Sequence, residues 1–135
     1  MSLATAFLSL NWLAVLVVWI GHVVLNLVWY LPPLFGRAWV ELTGKEMKPA
    51  QQWIPAGFAA HLVCVIGLAV VVRLANASTL LEGVAAALVA WLGFVVTLEA
   101  GELVWEKIPF KLFLIRIGAQ LVAFGLAGAV LAVWR

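Results

Sequence analysis

Residues 110–134, FKLFLIRIGAQLVAFGLAGAVLAVW, form an apolar run whose only strongly polar members are Lys111, Arg116 and Gln120. A helix needs about 20 apolar residues to cross a bilayer, and this run is longer. Three further runs of this kind precede it, over residues 7–31, 54–74 and 81–105. The sequence therefore predicts an all-α, polytopic membrane protein built as a four-transmembrane-helix bundle.

The composition of the whole chain agrees with this prediction. Of its 135 residues, 67% are hydrophobic and 10% are charged, and the mean hydropathy is +1.17. Soluble domains are about half apolar and about a quarter charged, so a soluble domain is excluded. We therefore expect one four-helix transmembrane domain over residues 1–135, with the lipid bilayer as its partner. A formal net charge of +2 is too small to predict binding to nucleic acid.

Basic residues are concentrated in two of the three connections between the apolar runs. Arg37, Lys45 and Lys48 lie in the first connection, and Lys107 and Lys111 lie in the third. Loops rich in Lys and Arg remain on the cytoplasmic side of a membrane. This pattern predicts that the first and third connections face the cytoplasm and that both termini lie outside it.

The first connection contains a motif rich in aromatic residues and proline, WYLPPLFGRAW, over residues 29–39. Its two prolines lack backbone donors and fix a turn after the first helix. Residues 34–42 then mix aromatic side chains with Arg37 and Glu41, which predicts a short interfacial segment between helices one and two. We interpret the motif as a structural anchor at the membrane surface, formed by Trp29, Tyr30, Pro32, Pro33, Phe35, Gly36 and Trp39.

This motif, followed by Leu42-Thr43-Gly44, resembles the opening of an uncharacterised bacterial membrane family, domain of unknown function 1761. Residues 91–94, WLGF, and residues 106–115 are similar to the third and fourth helices of that family. The resemblance covers nearly the whole chain. It implies a compact multi-pass protein of the bacterial inner (plasma) membrane, and it supplies no activity and no cofactor.

Polar residues within the four apolar runs lie at one shared depth. At a rise of about 1.5 Å per residue, each lies about two or three helical turns from the cytoplasmic face. Ionisable side chains in a bilayer usually face the bundle interior or a wet cavity, and they mark functional sites. The candidate residues are His22 and Asn26, His61 and Cys64, Glu99 and Glu102, and Arg116 and Gln120. We expect an acid–arginine part on helices three and four and a histidine–amide part on helices one and two.

Helix three has two distinctive faces if it is regular. At about 100° per residue, Glu99, Glu102 and Glu106 share one face. A stripe of small residues, which suits tight helix packing, runs almost opposite. Its members are Ala86, Ala90, Gly93, Thr97 and Gly101. A helix with two such faces is predicted to be central in the bundle or shared with a second subunit, which favours a homo-oligomer, a dimer or higher.

Three functions fit the polar layer. The first is transporter- or channel-like handling of a proton, a cation or a small solute, and it requires a cavity that reaches Glu99 and Glu102. The second is a structural or interaction role, in which Arg116 and the two glutamates neutralise one another and only fix helix packing. The third is metal binding or metalloenzyme chemistry, because imidazole and carboxylate together suit zinc, manganese or iron.

Within the third hypothesis, the candidate metal ligands are His22, His61, Glu99 and Glu102, and the two histidines could alternatively hold a haem from two sides. The chain lacks the closely spaced Glu and His motifs of helical metal sites. Cys64 lies one turn from His61, but a thiol buried in a membrane helix is a poor nucleophile. We therefore predict a protein without enzymatic activity and without a cofactor.

Overall fold

A computed structural model describes all 135 residues and consists of helices and their connections. Four helices are long and apolar enough to cross a membrane, with a mean hydropathy of 1.9 to 2.2. They are Trp12–Trp29, Gln51–Leu74, Leu80–Trp105 and Phe110–Val133. The predicted all-α polytopic bundle is confirmed.

Seven α-helices make up these spans and their connections: α1 Leu3–Leu8, α2 Trp12–Trp29, α3 Arg37–Thr43, α4 Ile54–Leu74, α5 Leu80–Ala90, α6 Thr97–Trp105 and α7 Phe110–Val133. A kinked turn, Pro32–Gly36, with a non-helical backbone at Leu34, leads into α3, and a 3-10 turn, Gln51–Trp53, leads into α4. A π-helical stretch, Trp91–Val96, joins α5 to α6, so that these three pieces form the third membrane span. The short α3 lies in the connection for which we predicted an interfacial segment.

The first span begins later than the hydropathy predicts. The apolar run from residue 7 is divided into α1 and α2, because the side chain of Asn11 accepts hydrogen bonds from the backbone of Leu13 and Ala14, at 3.1 and 3.2 Å. Asn11 is therefore the N-cap of α2. The prediction of one helix over residues 7–31 is wrong at its start, because the capping residue Asn11 starts a new helix inside the apolar run.

The fourth span is the central helix of the bundle. It contacts the other three spans, and 39% of its apolar window is buried, against 17 to 22% for the others. Small side chains on one side of α7 allow this close packing, and Ala119, Ala123, Ala127 and Gly128 are all buried. Of the two positions predicted for helix three, the central one is therefore taken by α7 in the single chain, and a position shared with a second subunit stays a prediction.

The closest helix contact joins α5 to α7 through two glycines. A β-carbon added to Gly83 would overlap the carbonyl of Gly128, and one added to Gly128 would overlap the carbonyl of Gly83. Ala87 and Ala90, one and two turns along α5, are also buried. The contacting stripe of the third span therefore shares Ala90 with the predicted one but differs at Gly93 and Gly101, where an added β-carbon would meet no neighbouring residue within 4 Å.

The π-helical stretch explains this difference. In a regular α-helix, Ala87 and Glu99 would lie about 120° apart around the axis. A π-bulge accommodates one additional residue, which turns the following helix back by about 100° and leaves about 20° between them. The small residues of α5 and the glutamates of α6 therefore both face α7, whereas a regular helix would place them on different sides.

The two ends of the bundle differ in polarity. At the end remote from α3, a cluster of 14 buried residues is entirely apolar, and Val15, Val65 and Val72 are its most enclosed large side chains. We call this the apolar end, and we call the opposite end of the bundle the α3 end. The polar residues of the four spans lie between the cluster and the α3 end.

Candidate functional site

Three polar side chains form a chain of hydrogen bonds between α2 and α7. The Asn26 amide nitrogen donates to the backbone carbonyl of His22 at 2.9 Å. The Gln120 amide nitrogen donates to Asn26 Oδ1 at 3.1 Å, and Gln120 Oε1 lies 3.2 Å from Nε2 of His22. His22 is 5% exposed, which makes it the one polar residue that is buried in the bundle.

The direction of these hydrogen bonds assigns the tautomer of His22. A backbone carbonyl only accepts, so the amide nitrogen of Asn26 must face it and Oδ1 must face Gln120. Gln120 then donates to Asn26 and presents its own oxygen to His22, whose Nε2 must carry the proton. His22 Nδ1 is thus the ring atom with a free lone pair when the ring is neutral, and it has no partner in the bundle.

His61 on α4 lies directly against this buried ring. The two ring centres are 4.9 Å apart and the ring planes meet at 77°, edge to face. No hydrogen bond joins the two rings, and the side chain of His61 makes none elsewhere. His61 is only partly buried, so it lies between the sealed His22 and the surface of the bundle.

A groove between α2 and α4 leads from the α3 end to His61. Its volume is about 810 Å³, and it is open along one side. Asn26 and His61 lie at its inner part, about 10 Å along α4 from Ile54 in the case of His61. Val23, Leu27, Ile54 and Phe58 contribute apolar walls, while Glu46 and Lys48 form an ion pair of 2.8 Å at its rim.

The predicted surface motif shapes the rim of this groove. Tyr30, Pro32 and Trp39 line it, and Trp29 stacks on Phe35 with ring centres 4.5 Å apart. Pro33 begins the kinked turn together with Pro32. Gly36 packs so closely that a β-carbon there would overlap the carbonyl of Tyr30. The motif thus holds the turn before α3 against the end of α2. A smaller cavity of about 260 Å³ lies beside Arg37 and Glu41 and shares Tyr30, Pro32 and Met47 with the groove.

A second polar group lies on α6 and α7. Arg116 binds both Glu99, at 3.4 Å, and Glu102. All three side chains are partly exposed, and no hydrogen bond connects them with the histidines. Neither glutamate lines the groove. The cavity that a transport role was expected to require at Glu99 and Glu102 is therefore not this groove, which lies between α2 and α4.

The division of the polar layer also differs from the expected one. Gln120 was grouped with Arg116, but its side chain binds His22 and Asn26. Residues 116 and 120 lie one turn apart on the central helix, and their neighbours belong to different spans. The histidine–amide part therefore includes α7 as well as α2 and α4. Cys64, one turn beyond His61, is partly buried and does not line the groove.

The four candidate metal ligands do not come together. His22 and His61 are in contact, while Glu99 and Glu102 belong to the separate group around Arg116. No group of three or more His, Cys, Asp or Glu side chains has a geometry that could hold a metal ion. The rings of the two histidines contact each other edge to face, with no space between them for a porphyrin plane.

Three tryptophans provide contacts that the sequence did not reveal. The indole nitrogen of Trp19 donates to the carbonyl of Phe58 at 3.0 Å and links α2 to α4. Trp29 donates to Ile115 at 3.1 Å, and Trp91 donates to Ile117 at 2.9 Å. The last two bonds join α2 and the third span to α7 on either side of Arg116. Trp19 and Trp91 lie well inside their spans, and this depth separates them from membrane-interface tryptophans, whereas Trp29 is the last residue of α2.

Comparisons with known proteins give a family and no activity. No curated protein and no solved structure matches the chain. A family described as a protein of unknown function, DUF1761, matches residues 13–132, which include all four spans except one residue at each outer edge. The chain therefore belongs to the DUF1761 family of proteins of unknown function.

Proposed function

We propose that the protein is a small membrane carrier for protons or small organic amines, and that the groove between α2 and α4 is its binding site. The observation that supports this proposal is the open path from the α3 end to two hydrogen-bonding side chains, His61 and Asn26, inside a membrane span. Polar side chains at such a depth are costly unless they serve a pathway or a partner.

The groove has the chemistry that a small amine requires. A neutral imidazole offers a nitrogen lone pair to an ammonium donor, and Asn26 Oδ1 retains a lone pair beside its bond from Gln120. Val23, Leu27 and Phe58 would contact the apolar part of the same molecule. Ligand sites commonly combine apolar walls with a few placed polar groups in this way.

The closed apolar end supports a carrier rather than a continuous pore. The buried cluster around Val15, Val65 and Val72 blocks any path beyond the histidines. A carrier exposes its site to one side at a time, and a groove that is open only toward the α3 end fits one of these states.

Two glycines on α4 allow a matched test of the groove. Gly57 lines the groove and Gly67 does not, and a β-carbon added at either glycine would meet no neighbouring residue within 4 Å. We expect Gly57→Phe to fill the groove and to reduce proton uptake by proteoliposomes at least tenfold, measured with an entrapped pH dye. Gly67→Phe should retain uptake close to that of the unmodified protein.

A competition measurement extends the test to amines. Methylammonium added outside the liposomes should slow the proton uptake of the unmodified protein, and it should have no effect on the residual uptake of His61→Ala. Equal uptake by Gly57→Phe and the unmodified protein would refute the groove as the site. Uptake no faster than in empty liposomes would refute the carrier itself.

A structural role is the second candidate, and it is specific to the acid–arginine group. Arg116 and its two glutamates largely neutralise one another, and they lie away from the groove. We propose that this group fixes the packing of α6 against α7. Its partial exposure beside the open glycines of the third span favours a second copy of the chain on that face, as a homo-oligomer.

The oligomer proposal has its own test. Single-molecule photobleaching in liposomes should show two or more bleaching steps for the unmodified chain. Gly93→Phe, which adds bulk to the third span, should give single steps, whereas Gly67→Phe on α4 should not change the count. Single steps from the unmodified chain would exclude the oligomer.

We further propose a bacterial inner-membrane location, with both termini outside the cytoplasm, a non-enzymatic role, and no resident cofactor. The basic residues of the first and third connections support this orientation, because Arg37, Lys45, Lys48, Lys107 and Lys111 all lie at the α3 end. Protease protection of tags placed at either terminus in spheroplasts would test the orientation, and cleavage of both tags from outside is the expected result.

A further inference from the structure

We propose that His22 and His61 form a single-proton site, in which Nδ1 of His22 is the buried acceptor and His61 is the donor on the groove side. The inference deepens the proposed function and rests on it for its transport role. It identifies the atom that would hold the carried proton and the side chain through which the proton arrives.

The first step of the argument is the unpartnered atom. The His22 residue is 5% exposed, and its Nδ1 atom makes no hydrogen bond. Because the bonds through Gln120 and Asn26 place the ring proton on Nε2, Nδ1 keeps a free lone pair. A buried acceptor without a partner is costly, and binding a donor removes that cost.

The second step is the position of His61. Its ring is the nearest titratable group to His22, with centres 4.9 Å apart, and it alone of the two rings lines the groove. The χ2 torsion of histidine is broad, so the His61 ring can turn from edge-to-face contact toward a shared hydrogen bond. A proton that enters the groove therefore reaches a ring nitrogen of His61 first and the buried Nδ1 of His22 second.

The transfer involves only a proton. A hydronium ion in the groove donates its proton to His61 and remains as water. The N–H bond of the His61 imidazolium then points to Nδ1 of His22, and the two nitrogens hold the proton between them. A second proton is disfavoured, because two imidazolium rings in contact would repel each other.

The interaction between His22 and His61 is the dominant one for the titration of the two rings, because the other charged groups nearby are paired or remote. On α4 the next titratable side chain is Cys64, and on α2 it is Tyr30 at the groove rim. On α7 the nearest charge is Arg116, which is paired with both Glu99 and Glu102 of α6, so that this group carries a formal net charge of about −1. Glu46 and Lys48 at the rim neutralise each other, and α5 carries only Glu82, near the apolar end.

Nitrogen NMR of ¹⁵N-histidine-labelled protein in lipid bilayers tests the pair directly. At high pH we expect His22 to be the Nε2–H tautomer. As the pH falls, both rings should shift together during a first step, and the second proton should bind at least one pH unit lower. In His61→Phe, His22 should titrate in one step, and in Gln120→Leu it should populate both tautomers.

Independent titration of the two rings, with midpoints unchanged in the single variants, would refute the shared site. An Nδ1–H tautomer of His22 would refute the assignment of the acceptor. These results are separable from the transport assay: a shared proton without uptake would contradict only the carrier, and uptake with uncoupled rings would contradict only the single-proton site. Asn76→Gln, remote from the pair, controls for labelling and reconstitution.

Discussion

Gly83 and Gly128 approach each other so closely that the α-carbon of each lies against the backbone carbonyl of the other. The relationship is reciprocal, so neither residue can gain a side chain without moving both helices. It fixes the distance between α5 and α7 at the apolar end, and every other span packs on the helix that it positions. Small residues on facing helices permit such contact in membranes, where van der Waals packing contributes much of the association energy.

Replacing one of these glycines should therefore destabilise the bundle. We expect Gly128→Val to lower the free energy of unfolding by about 1–3 kcal/mol, the usual range for overpacking. Gly125→Val on the same helix is the control, because a β-carbon added to Gly125 would meet no neighbouring residue within 4 Å. Reversible unfolding in mixed detergent micelles would measure both, and equal losses would contradict the close contact.

The bond from Trp29 to the carbonyl of Ile115 should make a smaller contribution. Trp29→Phe keeps an aromatic ring over Gly118 but removes the indole donor. We expect a loss of about 1 kcal/mol, typical of one hydrogen bond. Trp53→Phe provides the comparison, because Trp53 is exposed and donates no hydrogen bond. In a thermal unfolding measurement, Trp29→Phe should lower the midpoint temperature and Trp53→Phe should not. Equal midpoints for the two variants would argue against the hydrogen bond.

The acid–arginine group predicts an unequal response to charge removal. Because Arg116 binds both glutamates, Glu102→Gln leaves it paired with Glu99, and stability should change little. Arg116→Gln leaves two neighbouring acids and should cost about 1–3 kcal/mol, less than for a fully buried pair because water screens part of the repulsion. Adding Glu102→Gln to Arg116→Gln should restore part of that loss in the same unfolding measurement.

Glu106→Gln serves as the control for this series, since Glu106 is exposed and forms no ion pair. A change of more than about 0.5 kcal/mol in that variant would point to a general effect of surface charge. Equal losses for Glu102→Gln and Arg116→Gln would show that the arginine does not neutralise both acids.

The π-helical stretch predicts that the third span is sensitive to its length. Deleting Phe94 should restore a regular helix and turn α6 by about 100° relative to α5, which separates its glutamates from Arg116. Arg116→Gln should then cause no further loss in the deletion variant, because the contact is already absent. Phe94→Leu preserves the length and should behave as the unmodified chain, and additive losses would contradict the bulge.

Much of this fold follows from local signals in the sequence. Four apolar runs of sufficient length predict four spans, and the bounds of α4 coincide with those expected from hydropathy. The closest helix contact, between α5 and α7, also has a signal in the sequence, namely the GxxxA spacings of Gly83 with Ala87 and of Gly128 with Ala132. They are separable from the other small residues only once the rotation of each helix is known.

The remaining features depend on tertiary structure. Periodicity at a constant angle cannot include a π-bulge, so it assigned Glu99 and the packing stripe to opposite faces. Gln120 could not be assigned between His22 and Arg116, because the rotation of α7 between its neighbours is set by packing. Asn11 is a residue type that favours the N-cap of a helix, but hydropathy alone does not reveal the break there, because the residues on both sides are apolar.

The groove also contains one of the eight tryptophans of the chain, Trp39, on the helix that forms its rim. Its indole contacts whatever occupies the groove, while the indoles of Trp19, Trp29 and Trp91 are held by backbone carbonyls between helices. The fluorescence of Trp39 can therefore report on the groove. A change of emission that persists when the other seven are replaced by phenylalanine would record occupancy of the groove without any label.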